Sequence, residues 1–488
     1  MIRRSARLVA ALAVGGLIIA ACGDDDDDAS NDTSAITDAP AATDAPEATD
    51  ASDATAATET SSPTESVATP DTDAPETTAG GGDGAGWTVD TEDCVDPDRA
   101  NAPIEGTVNI GSSMPLSGGA AAAAFAPVAQ GLQAYIDYAN ENDLLPGHEI
   151  ALTIGDDQYS DSLTPGVVNS ELDNGAHLFS GMIGTQNNLA VRGLLNDECV
   201  PQILALTGAP EWGDVAEYPW TSGALIPYDK EGAAYAQNMA AEFPGGGTIG
   251  LFYVNSEFGQ VYMDGFEPLA TESGFEIVDT QTIELSDDGL PTAQVSSLAG
   301  NAPDVIMAVP LGAQCPRFLS ELAKAKAENP GWDPRVYITN TCSSSLILAV
   351  AGAAADGIYT SASGGISDVG NPETVAASEA LTSYIDYMAS KGFSDGAVTA
   401  AQGWTVGEVT VEILRQAAES PEGLTQASII NASRNLDFVP SLVREGVEYR
   451  MAGEEDAYYA EDIQVIQYDA AAAIFNDIGT LNTSFRSS

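Results

Sequence analysis

The stretch Gly181-Met-Ile-Gly-Thr-Gln-Asn-Asn188 decides the reading of this chain. Before it, Ala176-His-Leu-Phe-Ser-Gly-Met182 is mostly apolar and predicts a short buried strand. After it, Asn188-Leu-Ala-Val-Arg-Gly-Leu-Leu195 has helical spacing. Thr185, Gln186 and Asn187 therefore stand on a tight strand-to-helix turn. The first N–H groups of a helix have no partner inside it, and they carry the positive end of its dipole. With a hydroxyl and two amides added, the turn can hold an anionic or polar group of a small ligand. The alternative is ordinary helix capping by Thr or Asn. The rest of the chain tips the balance towards the ligand.

Outward from this turn, strand and helix patterns alternate. Thr107-Val-Asn-Ile110 predicts a strand, and Gly111-Ser-Ser-Met-Pro-Leu-Ser-Gly-Gly119 a turn after it. Residues 125–140 have helical spacing. Glu149-Ile-Ala-Leu-Thr-Ile154 is the next strand, closed by Asp156-Asp157-Gln158-Tyr159. Those carboxylates are expected to cap the turn rather than hold a metal. Further strands at 203–206, 248–254, 275–283, 305–309 and 336–338 alternate with helices at 232–243, 261–273, 316–327 and 344–354. This order predicts open α/β sheets with parallel strands. Such sheets bind ligands at the carboxyl ends of their strands. About 400 residues exceeds what one sheet usually uses, so two α/β lobes are expected.

The N-terminal part is of another kind. Residues 1–21 read as an export signal, with Arg3, Arg4 and Arg7 ahead of an apolar core too short for an ordinary membrane span. It ends Ile19-Ala-Ala-Cys22, which resembles the bacterial lipobox; that resemblance implies that Cys22 is diacylated and becomes the mature N-terminus. A lipid anchor holds a protein on the outer face of the cytoplasmic membrane without spanning it. A plain secretory signal with a chance Cys is the other reading. Residues 22–86 collapse to Asp, Ala, Thr, Ser, Pro and Glu, with Thr-Asp-Ala-Pro recurring at Thr37, Thr43 and Thr72. Such a segment cannot bury a core and reads as a disordered acidic tether. As a flexible coil it would span roughly 45 Å.

Composition narrows the function. The chain has 488 residues, with 16 Lys+Arg against 73 Asp+Glu and a net charge of -57. That balance argues against nucleic acid and against docking on anionic lipid. There are two His, His148 and His177, and no HExxH, GxxxxGK or GxSxG pattern. Neither metal nor cofactor is expected, and no enzymatic activity.

With these elements in place, the chain resembles the type I periplasmic binding proteins, in the branch that binds leucine, isoleucine and valine for ABC importers. The resemblance covers most of residues 104–470. It rests on Pro115-Leu-Ser-Gly118, Gly131-Leu-Gln-Ala-Tyr-Ile-Asp-Tyr-Ala-Asn140, Asp156-Asp157, the 181–188 turn and Asn255-Ser-Glu-Phe-Gly259. It implies two doubly wound α/β lobes joined by three crossover strands, with ligand held in the cleft. The lobes are expected at 87–226 plus 360–459 and at 227–359 plus 460–488. Tyr228-Asp229 is expected at the first crossover.

The resemblance also implies a ligand site. Thr185 matches the hydroxyl that binds an amino-acid carboxylate, with Gln186 beside it. Leu206, Thr207 and Gly208 match the next strand end, where the family's Thr position is Gly208 here. Ala124 and Phe125 fall where an aromatic lines the apolar pocket. Phe258 matches a pocket Tyr, and Leu311 falls near another. Thr341 matches the Glu that binds the ligand's ammonium. An ammonium taken from water needs a carboxylate or several good acceptors. Thr341 supplies one neutral oxygen, so the ligand is a branched-chain amino acid or a related amide or hydrophobic acid. Phe125, Phe258 and Trp404 are also candidates for plain core.

The implied function is capture of a small solute for an ABC permease and its ATPase subunits, by a monomer. A ligand-sensing subunit of a membrane receptor system is the alternative, and an extracellular hydrolase a third reading. Setting Cys22 aside leaves Cys94, Cys199, Cys315 and Cys342, an even number in an exported domain. Of three pairings, Cys94 with Cys199 and Cys315 with Cys342 is predicted. Cys315 and Cys342 each follow a strand of one parallel sheet, and those strand ends share an edge. Four free buried thiols are the alternative.

Overall fold

The chain enters the fold through a side-chain clamp. Asn435 accepts the Trp87 N–H at 2.8 Å and donates to the Trp87 carbonyl at 2.7 Å, while Asn431 accepts the Val89 N–H at 2.8 Å. The computed structural model describes residues 86–486. The export signal, Cys22 and the tether up to residue 85 lie outside the described residues.

The first lobe opens with α1 (Pro97–Ala100), then β1 (Thr107–Met114), α2 (Gly119–Glu141), β2 (Glu149–Asp156), α3 (Thr164–Asp173), β3 (Leu178–Ser180), α4 (Thr185–Asp197), β4 (Gln202–Ala205) and β5 (Thr221–Gly223). The strands form a five-stranded parallel sheet in the order β2-β1-β3-β4-β5. This is a doubly wound order, and its switch point lies between β1 and β3. The 181–188 turn leaves β3 at that point.

The chain then builds the second lobe: α5 (Tyr228–Glu242), β6 (Gly247–Val254), α6 (Glu257–Glu272), β7 (Phe275–Ile283), α7 (Thr292–Asn301), β8 (Val305–Val309), α8 (Gln314–Glu328), β9 (Arg335–Ile338), α9 (Ser345–Ala351) and β10 (Tyr359–Ser361). The order β7-β6-β8-β9-β10 repeats that of the first sheet. Its switch point lies between β6 and β8. Every residue of β8 is buried, as a central parallel strand covered on both faces requires.

After β10 the chain returns through α10 (Pro372–Ala377), α11 (Glu379–Ser390), α12 (Ala397–Glu419) and α13 (Gln426–Arg434). A small antiparallel ribbon follows, β11 (Asp437–Phe438) with β12 (Tyr449–Arg450). The chain then re-enters the second sheet as β13 (Val465–Asp469) and β14 (Ile474–Asp477), both antiparallel. It thus passes between the sheets three times: at 224–227, after Ser361 and before Val465. The two sheets and their helices belong to one compact unit.

Three expectations change. β1 continues to Met114, through the first residues of the segment read as a turn. The second sheet is mixed rather than all parallel, because β13 and β14 join its edge from a distant part of the chain. Helix α2 starts at Gly119, ahead of the amphipathic spacing from Phe125; its first turns are Gly and Ala, which carry no periodic signal. Helices α3 and α7 have weak apolar stripes and gave no pattern to read.

Helix α12 packs along α2 of the first lobe. A Cβ on Gly131 would stand 1.9 Å from the Ala400 carbonyl, and one on Gly403 1.8 Å from the Val128 carbonyl. Only two glycines let these backbones touch. The structure pairs Cys94 with Cys199 (Cα–Cα 5.5 Å) and Cys315 with Cys342 (5.8 Å). Among the described residues, no helix is long and apolar enough to cross a membrane.

Candidate functional site

The carboxyl ends of both sheets face one cavity of about 120 Å³. An engineered cavity of ~150 Å³ takes benzene, so this space is on the scale of a small organic solute. The first lobe contributes Ala124, Phe125 and Val128 of α2, Tyr159 after β2, Ile183 and Gly184 after β3, and Leu206 after β4. Leu225 and Tyr228 come from the first passage. The second lobe contributes Phe258 at the start of α6, Leu311 after β8, and Asn340, Thr341, Ser343 and Ser344 after β9. Helix α12 adds Val398, Thr399, Ala401 and Gln402.

The aromatic walls are locked to one another. Phe125 stacks on Tyr159 with centroids 6.0 Å apart. Tyr228 meets Phe258 edge-on at 5.2 Å and stacks on Tyr262 at 4.7 Å. Tyr159 has φ of 60°, a left-handed conformation that an aromatic residue rarely adopts. It is held there by Asp157, which accepts the Tyr159 N–H at 2.9 Å, the Ser113 hydroxyl at 2.7 Å and the Asn187 amide at 3.2 Å. Burial pushes the Asp157 carboxyl up, against these donors. Asp156 accepts from Leu116 and Ser117 N–H, so both carboxylates serve the turns around the cavity.

At the 181–188 turn, Gly184 is the N-cap of α4, with φ of 102° and no side-chain cap. A Cβ there would stand 2.6 Å from Asn187 Oδ1 and 2.9 Å from the Tyr159 ring. The first turn of α4 contains no acidic residue. Thr185 Oγ1 lies 2.8 Å from Thr207 Oγ1, which accepts the Ala209 N–H at 3.1 Å. Asn187 and Asn188 brace the turn from within rather than cap it, Asn188 donating to the Met182 and Gly184 carbonyls.

Of the residues expected at the site, Ala124, Phe125, Leu206, Phe258, Leu311 and Thr341 line the cavity. Thr185, Thr207 and Gly208 are buried and do not line the cavity, and Gln186 is half-buried on the same turn as Thr185. Gly208 has a spatial reason: a Cβ would come 2.3 Å from the Ile226 carbonyl and 2.6 Å from the Tyr228 ring. Trp404 lies away from the cavity, among Tyr135, Tyr138, Tyr384 and Tyr387. Tyr228, expected at the crossover, is also a cavity wall.

Sequence reasoning missed Tyr159, Asn340 and the α12 residues. Tyr159 ends the Asp-Asp-Gln-Tyr turn and Asn340 precedes Thr341, so neighbours pointed to both. Nothing in the local pattern pointed to α12.

The cavity is nearly free of charge. Asp368 and Arg444 are the only ionic residues among its described lining. The Asp368 oxygens accept the Gly370 and Phe475 N–H groups at 3.0 and 2.8 Å. Arg444 donates to the Ile366 carbonyl and to Asp477, and burial lowers its basicity. Ser344 and Thr399 hydroxyls, from α9's N-cap and α12, meet at 3.1 Å across the cleft. Behind the second-lobe wall, the Glu231 carboxylate accepts from Tyr235, from Tyr262 (2.7 Å), from Ser361 (3.0 Å) and from the Asn340 N–H (3.1 Å). Its burial pushes the carboxyl above its usual range.

Several known structures share this fold. A branched-chain amino acid ABC transporter protein from Thermus thermophilus, solved with bound valine, superposes with a TM-score of 0.68 at 20% identity, over 78% of this chain and 97% of that one. A fatty acid ABC transporter substrate-binding protein from Thermomonospora curvata gives 0.66 at 17%, over 78% and 95%. A solute-binding protein of an ABC transporter from Rhodopseudomonas palustris BisB5, in complex with 3,4-dihydroxy benzoic acid, gives 0.63 at 16%, over 78% and 98%. At these identities the likeness is one of fold. No curated protein matches the sequence. The periplasmic binding protein model matches residues 107–472, and the chain belongs to that family.

Proposed function

We propose that this protein captures a small, largely apolar solute carrying one carboxylate or amide group, and delivers it to an ABC importer. The cavity carries this reading: it is small, mostly apolar, and formed where the switch points of two α/β sheets face each other. The uncapped first turn of α4 supports a carboxylate or amide beside Gly184 and Thr185, and the apolar walls support a branched or aromatic body. Solutes bound by the structural relatives include valine and a dihydroxybenzoic acid, both small carboxylic acids.

The two lobes close on the solute by hinge motion at the three passages. Cys22 carries the lipid that anchors the protein on the outer face of the cytoplasmic membrane, and the acidic tether gives it reach to permease and ATPase partners. Two disulfides suit an exported protein. The protein acts as a monomer and catalyses no reaction.

Mass spectrometry of small molecules released from the denatured purified protein tests the reading, followed by calorimetry with the released compound. A small carboxylate or amide is the expected result. A polar sugar or a long-chain lipid as the released compound would overturn it.

A further inference from the structure

The hydroxyl end of Tyr159 stands at the α4 turn. Its Cε2, a ring carbon next to the one that bears the hydroxyl, lies 2.9 Å from the position a Cβ on Gly184 would take. Gly184, Tyr159 and Phe125, on which Tyr159 stacks, all line the cavity. The Tyr159 side chain is half-buried there. Its hydroxyl bonds to no described residue and is not sealed from solvent. Other hydroxyls of the lining are used within the wall: Thr341 and Ser343 donate to the Pro310 and Asn340 carbonyls at 3.3 and 2.6 Å, and Ser344 pairs with Thr399 at 3.1 Å.

Tyr159 is also fixed in place. Asp157, fully buried, accepts the Tyr159 N–H at 2.9 Å and the Asn187 side-chain amide at 3.2 Å. One carboxylate thus fixes both the tyrosine and the first turn of α4. Burial raises the Tyr159 phenol above its usual range, so it keeps its proton at neutral pH and can donate.

We propose that Tyr159 is a ligand-binding residue, whose hydroxyl donates to an oxygen of the solute's polar group beside the α4 turn. This rests on the reading of the cavity as a site for a small carboxylate or amide. A hydrogen bond to an ionised acceptor is roughly twice as strong as one to a neutral oxygen. Tyr159 therefore adds more to the affinity of an acid than to that of the amide of the same skeleton. A residue that only shaped the wall would serve both alike.

Calorimetry with two acid–amide pairs tests this: 4-methylpentanoate with 4-methylpentanamide, and benzoate with benzamide. Tyr159→Phe keeps the ring and its stack on Phe125. It should weaken the acid by about tenfold or more, and the amide by about two- to tenfold. Carbon-13 NMR of protein labelled at the tyrosine Cζ gives a second readout: the Tyr159 resonance, assigned by its loss in Tyr159→Phe, should move when a compound that binds is added. Where only one member of a pair binds, this resonance decides. Unchanged affinity in Tyr159→Phe, equal losses for acid and amide, or a resonance that stays in place overturns the inference and leaves the reading of the cavity standing. If none of the four compounds binds, the reading of the cavity fails for these skeletons and the inference falls with it.

Discussion

Removing the Cys315–Cys342 bridge by the double change Cys315→Ala and Cys342→Ala tests how the second lobe holds its share of the cavity. The bridge spans a sequence separation of 27. The chain-entropy model then assigns it about 3.5 kcal/mol, by restricting the unfolded chain. Both half-cystines are fully buried. Replacing them by alanine leaves a small void as well, adding roughly 1 kcal/mol. Unfolding of residues 86–486 as one unit carries an entropy of about 0.8 kcal/mol/K, so the melting midpoint should fall by about 5 °C. If the half built on the second sheet melts by itself, the fall is roughly twice that. Differential scanning calorimetry on material starting near Trp87 measures it, with thiol titration confirming that the native protein has no free thiol there. Cys342 closes the turn that carries Asn340 and Thr341, so ligand affinity should weaken in the same variant at temperatures where it is folded. A melting midpoint unchanged within about 1 °C would refute the argument that this bridge restrains the unfolded chain.

Three further outcomes follow from the same geometry. Thr185→Ala removes the hydroxyl that meets Thr207 behind the α4 turn, and calorimetry with the native ligand should show a loss of about 1–3 kcal/mol where a charged group sits there; unchanged affinity would remove Thr185 from the site. Gly131→Ala forces a methyl against the Ala400 carbonyl and should lower stability by about 1–3 kcal/mol or more in urea titrations, and because α12 lines the cavity, affinity should fall too; Gly193→Ala in α4, where a Cβ meets nothing within 4 Å, is the control and should be neutral or stabilising by up to about 1 kcal/mol. Glu231 has its carboxyl raised by burial, so its contribution to stability is full below the unfolded value of about 4.3 and is lost as pH rises through the folded value. Glu231→Gln should therefore gain on the native protein as pH rises from about 4 to 8, and a stability difference constant over that range would show that Glu231 does not titrate differently in the folded state.

The order of strands and helices was legible because each element announces itself locally. A run such as Val305–Val309 is apolar throughout, and the spacing in 188–195 repeats every three to four residues. Strand ends in an open parallel sheet face one edge, so the positions of Leu206, Leu311 and Thr341 beside a cleft, and the approach of Cys315 to Cys342, also followed from local pattern plus topology. The function class came with the same motifs, through the family they resemble.

What the local pattern could not decide was which distant surfaces meet. Helix α12 reaches the cavity because Gly131 and Gly403 let it lie against α2, some 270 residues apart in the chain. β13 and β14 close the second sheet antiparallel because the third passage brings them to its edge. The hydrogen bonds of Thr341 to Pro310 and of Asp368 to Phe475 join segments that share no periodicity. A residue's type states what it can donate or accept; only the folded neighbours decide whether that capacity is already used. For this protein the sequence by itself determined two α/β lobes with a cleft at their strand ends, and the tertiary structure decided which distant side chains line that cleft and which are paired behind it, because pairing depends on contacts that chain order does not encode.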